Sequence, residues 1–197
     1  MPYALRYTAL AMRPLFTIHA GEYLVGLHVQ QHLKLNVWIP AKDTGIDLLV
    51  TDRENLHTVS LQVKYGKDFL PGKAAALRNS LRCLSWFTLN RAKLNASLAE
   101  FWVFVLHGFK SDAPDFVVVP IAKLRRRMKE IHGSDSEKLQ SYLCSTEINQ
   151  CWETRGLADG SDDIKQILKG NYKNHVRDFT QYLNANGWAA VLNNLKS

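Results

Sequence analysis

S-L-Q-V-K-Y-G-K, residues 60–67, alternates like a strand. Leu61 and Val63 fall on one face; Ser60, Gln62 and Lys64 fall on the other. Gln and Lys fill strands poorly, and an unpaired ammonium is costly to bury. Either that face is wet, or it belongs to a site, and the flanking sequence decides between the two.

Upstream, I-D-L-L-V-T-D at 46–52 reads as a strand, R-E-N-L-H as a turn, and T-V-S-L-Q-V-K-Y at 58–65 as the strand that follows. Two strands with so short a connection make an antiparallel hairpin. L-N-V-W-I-P at 35–40 is an earlier short strand ended by proline, and A-K-D-T-G is a turn. Residues 19–33 read as a helix in which Val25, Val29 and Leu33 share a face with Glu22, so a carboxylate tops the stripe that meets the core. Gly26, one turn on, allows that helix to approach a sheet closely.

Downstream, G-K-D-F-L-P-G breaks the pattern, and a helical stretch is expected from about residue 74 to about 98. F-W-V-F-V-L-H at 101–107 is apolar throughout, as a central strand is, and F-V-V-V-P-I at 116–121 is another strand. I-A-K-L-R-R-R-M-K-E-I then reads as a basic amphipathic helix. Residues 133–170 read as polar loops around short strands. The stretch from Tyr172 starts a last helix with Asn186-Gly187 as its stop, and W-A-A-V-L-N-N-L packs on the core. The expected fold class is α/β, one layered domain over residues 1–197 with a mixed sheet flanked by helices, a core at about 19–121, and an extension at 133–197.

A chain of 197 residues suits one domain with a core large enough to need no staples. Its three cysteines form no C-x-x-C pair, which points away from zinc and disulfide frameworks and makes a reduced, cytoplasmic setting the default. The 25 basic residues against 18 acidic ones, net +7, favour a polyanionic partner. No apolar run approaches ~20 residues, so no membrane span is expected. Arg6 and Arg13 interrupt the apolar N-terminus, which makes a poor signal peptide. No Gly-rich phosphate loop, Ser-His-Asp order or H-E-x-x-H is present.

Four side chains stand out: Glu22 on the first helix, Asp47 in an I-D-L-L-V strand that disfavours Asp, and Gln62 and Lys64 on the next strand. If the strands pair as a hairpin, Asp47 sits across from Gln62 and Lys64, with Glu22 above. Two carboxylates, an amide oxygen and an amine converging in a cleft would bind a hard divalent cation and hold a water. Taken singly, each has a duller role: a first-turn helix acid, a strand-edge acid after Thr44-Gly45, and a lysine snorkelling at a sheet edge.

In that order, G-E-Y-L-V, T-G-I-D-L-L-V and S-L-Q-V-K resemble the PD-(D/E)XK nuclease superfamily, whose fold is restriction-endonuclease-like: a three-layer core with a central mixed sheet between helices. Ile46 stands where the family's proline usually is. Gln62 replaces the usual acid of the last motif, a variant similar to the Q-x-K subset. The resemblance spans residues 19–121 in its order of elements. It implies Mg²⁺-dependent (or Mn²⁺-dependent) hydrolysis of DNA phosphodiester bonds. Asp47 would then be the central metal ligand, with the Val63 carbonyl and the Gln62 side-chain oxygen completing the protein's share. Glu22 would bind metal directly or through water, and Lys64 would polarise the attacking water or steady the phosphate.

Around that motif, Tyr65, Lys67, Lys73 and Arg78 would line the same groove, and Arg125, Arg126, Arg127 and Lys129 form the densest basic run, a phosphate contact in a nucleic-acid enzyme. His28 and His32, spaced i, i+4, and His19 read as a solvated helix face. Trp86 and Phe87 read as core rather than base-stacking platforms, and Gly66 and Gly72 as turn residues. One such site cuts one strand, so a duplex break would need a homodimer or two nicks. The alternatives are a catalytically inactive binding module of the same fold, and a subunit aimed by a targeting protein.

Overall fold

The computed structural model describes residues 14–42, 44–73, 75–108 and 113–196; for residues 14–18, Lys67 and Pro71 it describes the backbone alone. A first helix, α1 (Pro14–His28), runs on through a π turn (Val29–Leu33) and stops at Lys34, which is left-handed. Two strands follow, β1 (Asn36–Trp38) and β2 (Leu48–Thr51), antiparallel to each other. The hairpin expected next is present: β2 pairs antiparallel with β3 (Thr58–Asp68), Leu48 opposite Leu61 and Thr51 opposite Thr58.

After α2 (Ala75–Ser80) the chain departs from the helix expected over 74–98. Residues Leu81–Asn90 form a ten-residue strand, β4, and only Arg91–Ala96 returns to helix as α3. Cys83, Ser85, Phe87 and Leu89 are buried on one face of β4, while Trp86 and Thr88 are exposed on the other. Leu84, buried on that second face, breaks the alternation, so Leu77, Leu81, Leu84 and Thr88 also fit a helical spacing. The deciding partner is distant in sequence: β7 (Lys138–Thr146) pairs along the length of β4, from Leu81–Thr146 to Asn90–Lys138.

The centre of the sheet is parallel. β5 (Phe101–His107) lies beside β3 from Leu61–Phe101 to Lys67–His107, and β6 (Asp115–Pro120) pairs antiparallel on its far side. β5 is apolar on both faces because both are covered. Residues 133–170, expected as polar loops around short strands, hold the longer β7, a short β8 (Cys151–Glu153) and a helix, α5 (Asp162–Lys169). The last helix, α6 (Asn184–Asn194), starts twelve residues beyond the expected start, and Asn186-Gly187 lies within its first turn rather than at its stop. A Cβ on Gly187 would stand 2.2 Å from the Tyr182 carbonyl oxygen, so glycine is required there for packing.

Helices cover both faces. On one, Val25 of α1, Val29 of the π turn, and Trp188 and Val191 of α6 meet Leu61, Val63 and Val103. On the other, Leu94 of α3 and Leu124 and Met128 of α4 (Ile121–His132) meet Trp102, Phe104 and Val119. A third cluster, Leu84, Cys144 and Trp152 beneath Ile164 and Ile167 of α5, closes part of the β4–β7–β8 wing. The result is a mixed α/β architecture with a mixed central sheet. The close approach of α1 falls at Gly21, where a Cβ would stand 3.0 Å from the Tyr65 Cβ; at Gly26 the same atom would make ordinary contact with Val37. Gly66 is likewise no turn residue: it lies inside β3 with the Phe87 ring against it. Cys83, Cys144 and Cys151 are buried without disulfides, and burial pushes the Cys83 thiol up to about 12. Among the described residues no helix is long and apolar enough to cross a membrane.

Candidate functional site

The sheet forks at β3. One edge of β3 is lined by β5 along most of its length. The other edge carries β2 only as far as Leu61 and β4 only from Lys67. Among the described residues no strand lies along Gln62–Gly66 on that edge, which leaves a notch between two diverging strands.

Asp47 fills the notch. The chain reaches it through Gly45, whose φ of +81° suits glycine, and the Asp47 N–H donates to the Leu61 carbonyl at 2.9 Å as the last rung of the hairpin. The side chain then takes the place of a missing strand. Its Oδ2 accepts the Val63 N–H at 2.6 Å and a hydrogen bond from the Gln62 Nε2. Because the N–H and C=O of one strand residue point to the same edge, the Val63 carbonyl faces this notch too. Both bonds fall on Oδ2; Oδ1 accepts neither. Burial pushes the Asp47 carboxyl above its ordinary value, and the nearby Glu22 adds to that. The Val63 N–H, the Lys64 ammonium and the Gln62 amide pull the other way.

Glu22 comes from α1, one residue after the Gly21 contact on Val63 and Tyr65. Its carboxylate is 3.2 Å from the exposed His19 Nδ1 and opens on a groove of about 540 Å³ shared with Tyr23, Gly26, Val37 and Leu48. The Lys64 Nζ lies 5.3 Å from the centre of the Trp102 ring. The four residues singled out from sequence thus come from α1, the start of β2 and the middle of β3 to one end of the fork. Asp47 and Gln62 touch, and Glu22 and Lys64 are close enough to move the charge state of Asp47 in opposite directions. Among the described residues no three His, Cys, Asp or Glu side chains gather into a metal-ligating group. The donor set here is two carboxylates, an amide and a backbone carbonyl. That set suits Mg²⁺, which keeps several waters and needs few protein ligands, provided the amide turns its oxygen inward.

The expected basic contacts divide. Arg127 is 5% exposed; its Nη1 donates to the His175 and Val176 carbonyls at 2.7 and 2.6 Å, and its guanidinium stacks on Phe179 and Tyr182. Arg125 donates to the Leu94 and Ser97 carbonyls, both at 3.0 Å. These two arginines tie loops to α4. Arg126 is exposed and lies 3.7 Å from Glu130 one turn on. Lys73 donates to Asp159 at 2.9 Å, and Arg78 to the Lys73 carbonyl at 3.0 Å. The Lys67 backbone pairs with Trp86 and His107, and its side chain is among those outside the described residues. Of the helix histidines, His19 and His32 are exposed, whereas His28 is half-buried against Trp188 and Phe116 and burial pulls its pKa down.

Sequence patterning gave no sign of two groups. Trp86, read as core, is 50% exposed beside Tyr142. Glu153 is fully buried against Arg177 and His132. Trp86 depends on β4–β7 pairing, which joins segments about fifty residues apart, and Glu153 lies in β8, a strand too short to show a period. No family model matches the chain, and no curated protein or solved structure is significantly similar to it.

Proposed function

We propose that this protein is a metal-dependent DNA endonuclease with a restriction-endonuclease-like core. The observation that carries this is the seat of Asp47: a half-buried carboxylate held by the Val63 N–H and the Gln62 amide in a notch of the sheet, with Lys64 and Glu22 beside it. A carboxylate whose burial disfavours its charge is poised to be relieved by a cation. Asp47 Oδ1 and the Val63 carbonyl would hold the cation, Glu22 would meet it directly or through water, and a half-turn of the Gln62 amide would bring in its oxygen. The cation supplies a water of lowered pKa and neutralises phosphate charge. Lys64 orients that water and steadies charge on the phosphate. The net charge of +7 suits a polyanionic substrate.

One observation favours the second reading, a binding module without chemistry: the Gln62 amide already donates to Asp47, and among the described residues no third acid joins Glu22 and Asp47. Nicking of supercoiled plasmid with and without Mg²⁺ or Mn²⁺ separates the two. Metal-dependent nicking by the wild type, abolished in Lys64→Ala with melting temperature and DNA affinity retained, is the expected outcome. Equal nicking by Lys64→Ala would remove Lys64 from the chemistry. DNA binding without cleavage under either metal would favour the module.

A further inference from the structure

The β4–β7 wing has one face that is only partly covered. Leu84, Cys144 and Trp152 lie under α5, and one step along the same face Trp86 and Tyr142 emerge in register with each other, followed by Thr88 and Gln140. Phe69, just beyond the end of β3, continues the row, its ring centre 5.3 Å from that of Tyr142; Tyr142 and Trp86 are 6.4 Å apart, both pairs edge to face. The Trp86 indole is pinned, because its Nε1 donates to the Gln140 Oε1, which also accepts the Thr88 hydroxyl at 3.1 Å. A half-exposed tryptophan held in one orientation offers a hydrophobic face at little cost in side-chain entropy.

Cations flank the row. The Arg155 guanidinium is 5.0 Å from the Tyr142 ring centre and donates to its hydroxyl at 2.7 Å. The Lys73 Nζ is 5.7 Å from the Phe69 ring centre and shares its charge with the exposed Asp159. Between these groups opens a cavity of about 390 Å³, floored by Leu84 and Ile164 and rimmed by Phe69, Tyr142, Lys73 and Arg155. That volume is in the range that takes one small planar group. The row also adjoins the candidate cleft: Trp86 pairs with Lys67, four residues along β3 from Val63, on the order of 13 Å away at the usual strand rise.

We infer that the Phe69–Tyr142–Trp86 row, with Lys73 and Arg155, is a binding platform for single-stranded nucleic acid, on which unpaired bases stack while the two cations meet the backbone. Rings on an open sheet face with cations beside them are the arrangement that holds single strands without reading sequence. A duplex keeps its base faces stacked inside and gains only the charge. The platform rests on the nucleic-acid part of the proposed function and deepens it, making the preferred substrate DNA with an unpaired segment next to the cleavage point.

The test is fluorescence anisotropy of a labelled fifteen-nucleotide oligo(dT) and of a duplex of equal length, in EDTA so that no cleavage occurs, with wild type, Trp86→Ala and Asp159→Asn. Wild type should bind oligo(dT) more tightly than duplex. Trp86→Ala should weaken oligo(dT) about tenfold and leave duplex binding unchanged. Asp159→Asn should tighten oligo(dT) at low salt by freeing Lys73. Because Trp86 is half-exposed, its truncation should spare the fold, which circular dichroism and a melting curve verify. Wild-type affinity for oligo(dT) in a folded Trp86→Ala variant overturns the platform, as does a wild type that prefers the duplex. Plasmid nicking run alongside keeps the two proposals apart. Metal-dependent nicking by a wild type that does not bind oligo(dT) sinks the platform alone. Oligo(dT) binding through Trp86 with no cleavage under any metal keeps the platform and sinks the nuclease.

Discussion

Asp47 and Gln62 are the pair on which the site turns, and their hydrogen bond makes a prediction sharper than the motif does. Gln62 is here a donor to Asp47. Gln62→Glu replaces that donor with a second carboxylate, and two carboxylates in contact repel unless a proton or a cation sits between them. Without metal the variant should melt below the wild type. With Mg²⁺ the order should reverse, and Mg²⁺ should bind several-fold tighter, since an added charge a few ångströms from the cation is worth on the order of 1 kcal/mol at a partly exposed site. Asp47→Asn should do the opposite. Burial raises the Asp47 pKa, so the folded state favours the protonated form and loses stability as pH rises from the ordinary carboxylate range through the raised value. Removing the charge should therefore raise the metal-free melting temperature at neutral pH while weakening Mg²⁺ binding more than tenfold, on the scale of losing a ligand or its support. Melting curves and calorimetric titrations of both variants, with and without Mg²⁺, decide this. Metal affinities equal to wild type in both would take the pair out of the site.

At the scale of elements, α4 shows how a basic run can serve the fold instead of a ligand. Its sequence reads as a charged outer face, yet Arg127 reaches inward to two loop carbonyls and two aromatic rings. Arg127→Ala leaves those carbonyls without donors and should cost about 2–4 kcal/mol, whereas the exposed Arg126→Ala should stay within about 0.5 kcal/mol. Urea unfolding measures both, and equal midpoints would mean that Arg127 is no clamp. The same contrast explains what the sequence disclosed. From α1 to β3 the elements are set by local periods and short turns, so the hairpin and the meeting of Asp47 with Gln62 were legible. β5, β6 and α4 were legible because their apolar patterns are unbroken. β4 was not, since Leu84 is buried by α5 on the face where Trp86 is bare, and that exception erases the period of two. The final helix was misplaced because Asn-Gly usually ends a helix, while here Gly187 lets the first turn of α6 pass the Tyr182 carbonyl. Each failure traces to a packing contact that no local period announces.

For the whole molecule, the most consequential of those contacts is the junction where β8, α4 and the segment before α6 meet. Glu153 of β8 is fully buried. Its Oε2 accepts the Arg177 Nη1 at 2.7 Å, and its Oε1 lies 3.6 Å from the His132 Nε2 at the end of α4, which has no hydrogen-bond partner among the described residues. Burial pushes the Glu153 carboxyl from 4.5 up to about 7, although Arg177 and the Tyr142 and Arg155 N–H groups oppose it. Burial, helped by the cations Arg177, Arg91 and Arg155, pulls the His132 pKa below 6.5. The two groups act on stability with opposite signs. An acid with a raised folded pKa holds its proton more tightly when folded, so its contribution is full below about 4.5 and declines as pH rises to about 7. A histidine with a lowered folded pKa contributes fully above 6.5, and that contribution is lost as pH falls below it. Between pH 8 and 6.5 Glu153 acts nearly alone, so the melting temperature should rise as pH falls across that interval. Below 6.5 His132 begins to offset the gain, and the curve should flatten. Glu153→Gln keeps an acceptor for Arg177 but cannot titrate. It should melt above the wild type at pH 8, where the wild type carries the cost of a buried charge, and should show no rise between 8 and 6.5. Scanning calorimetry of both proteins from pH 8 to 5.5 in constant salt is the measurement. An identical rise in Glu153→Gln would mean that the pH response comes from elsewhere, and that this junction holds Glu153 ionised through Arg177 strongly enough to cancel the cost of its burial.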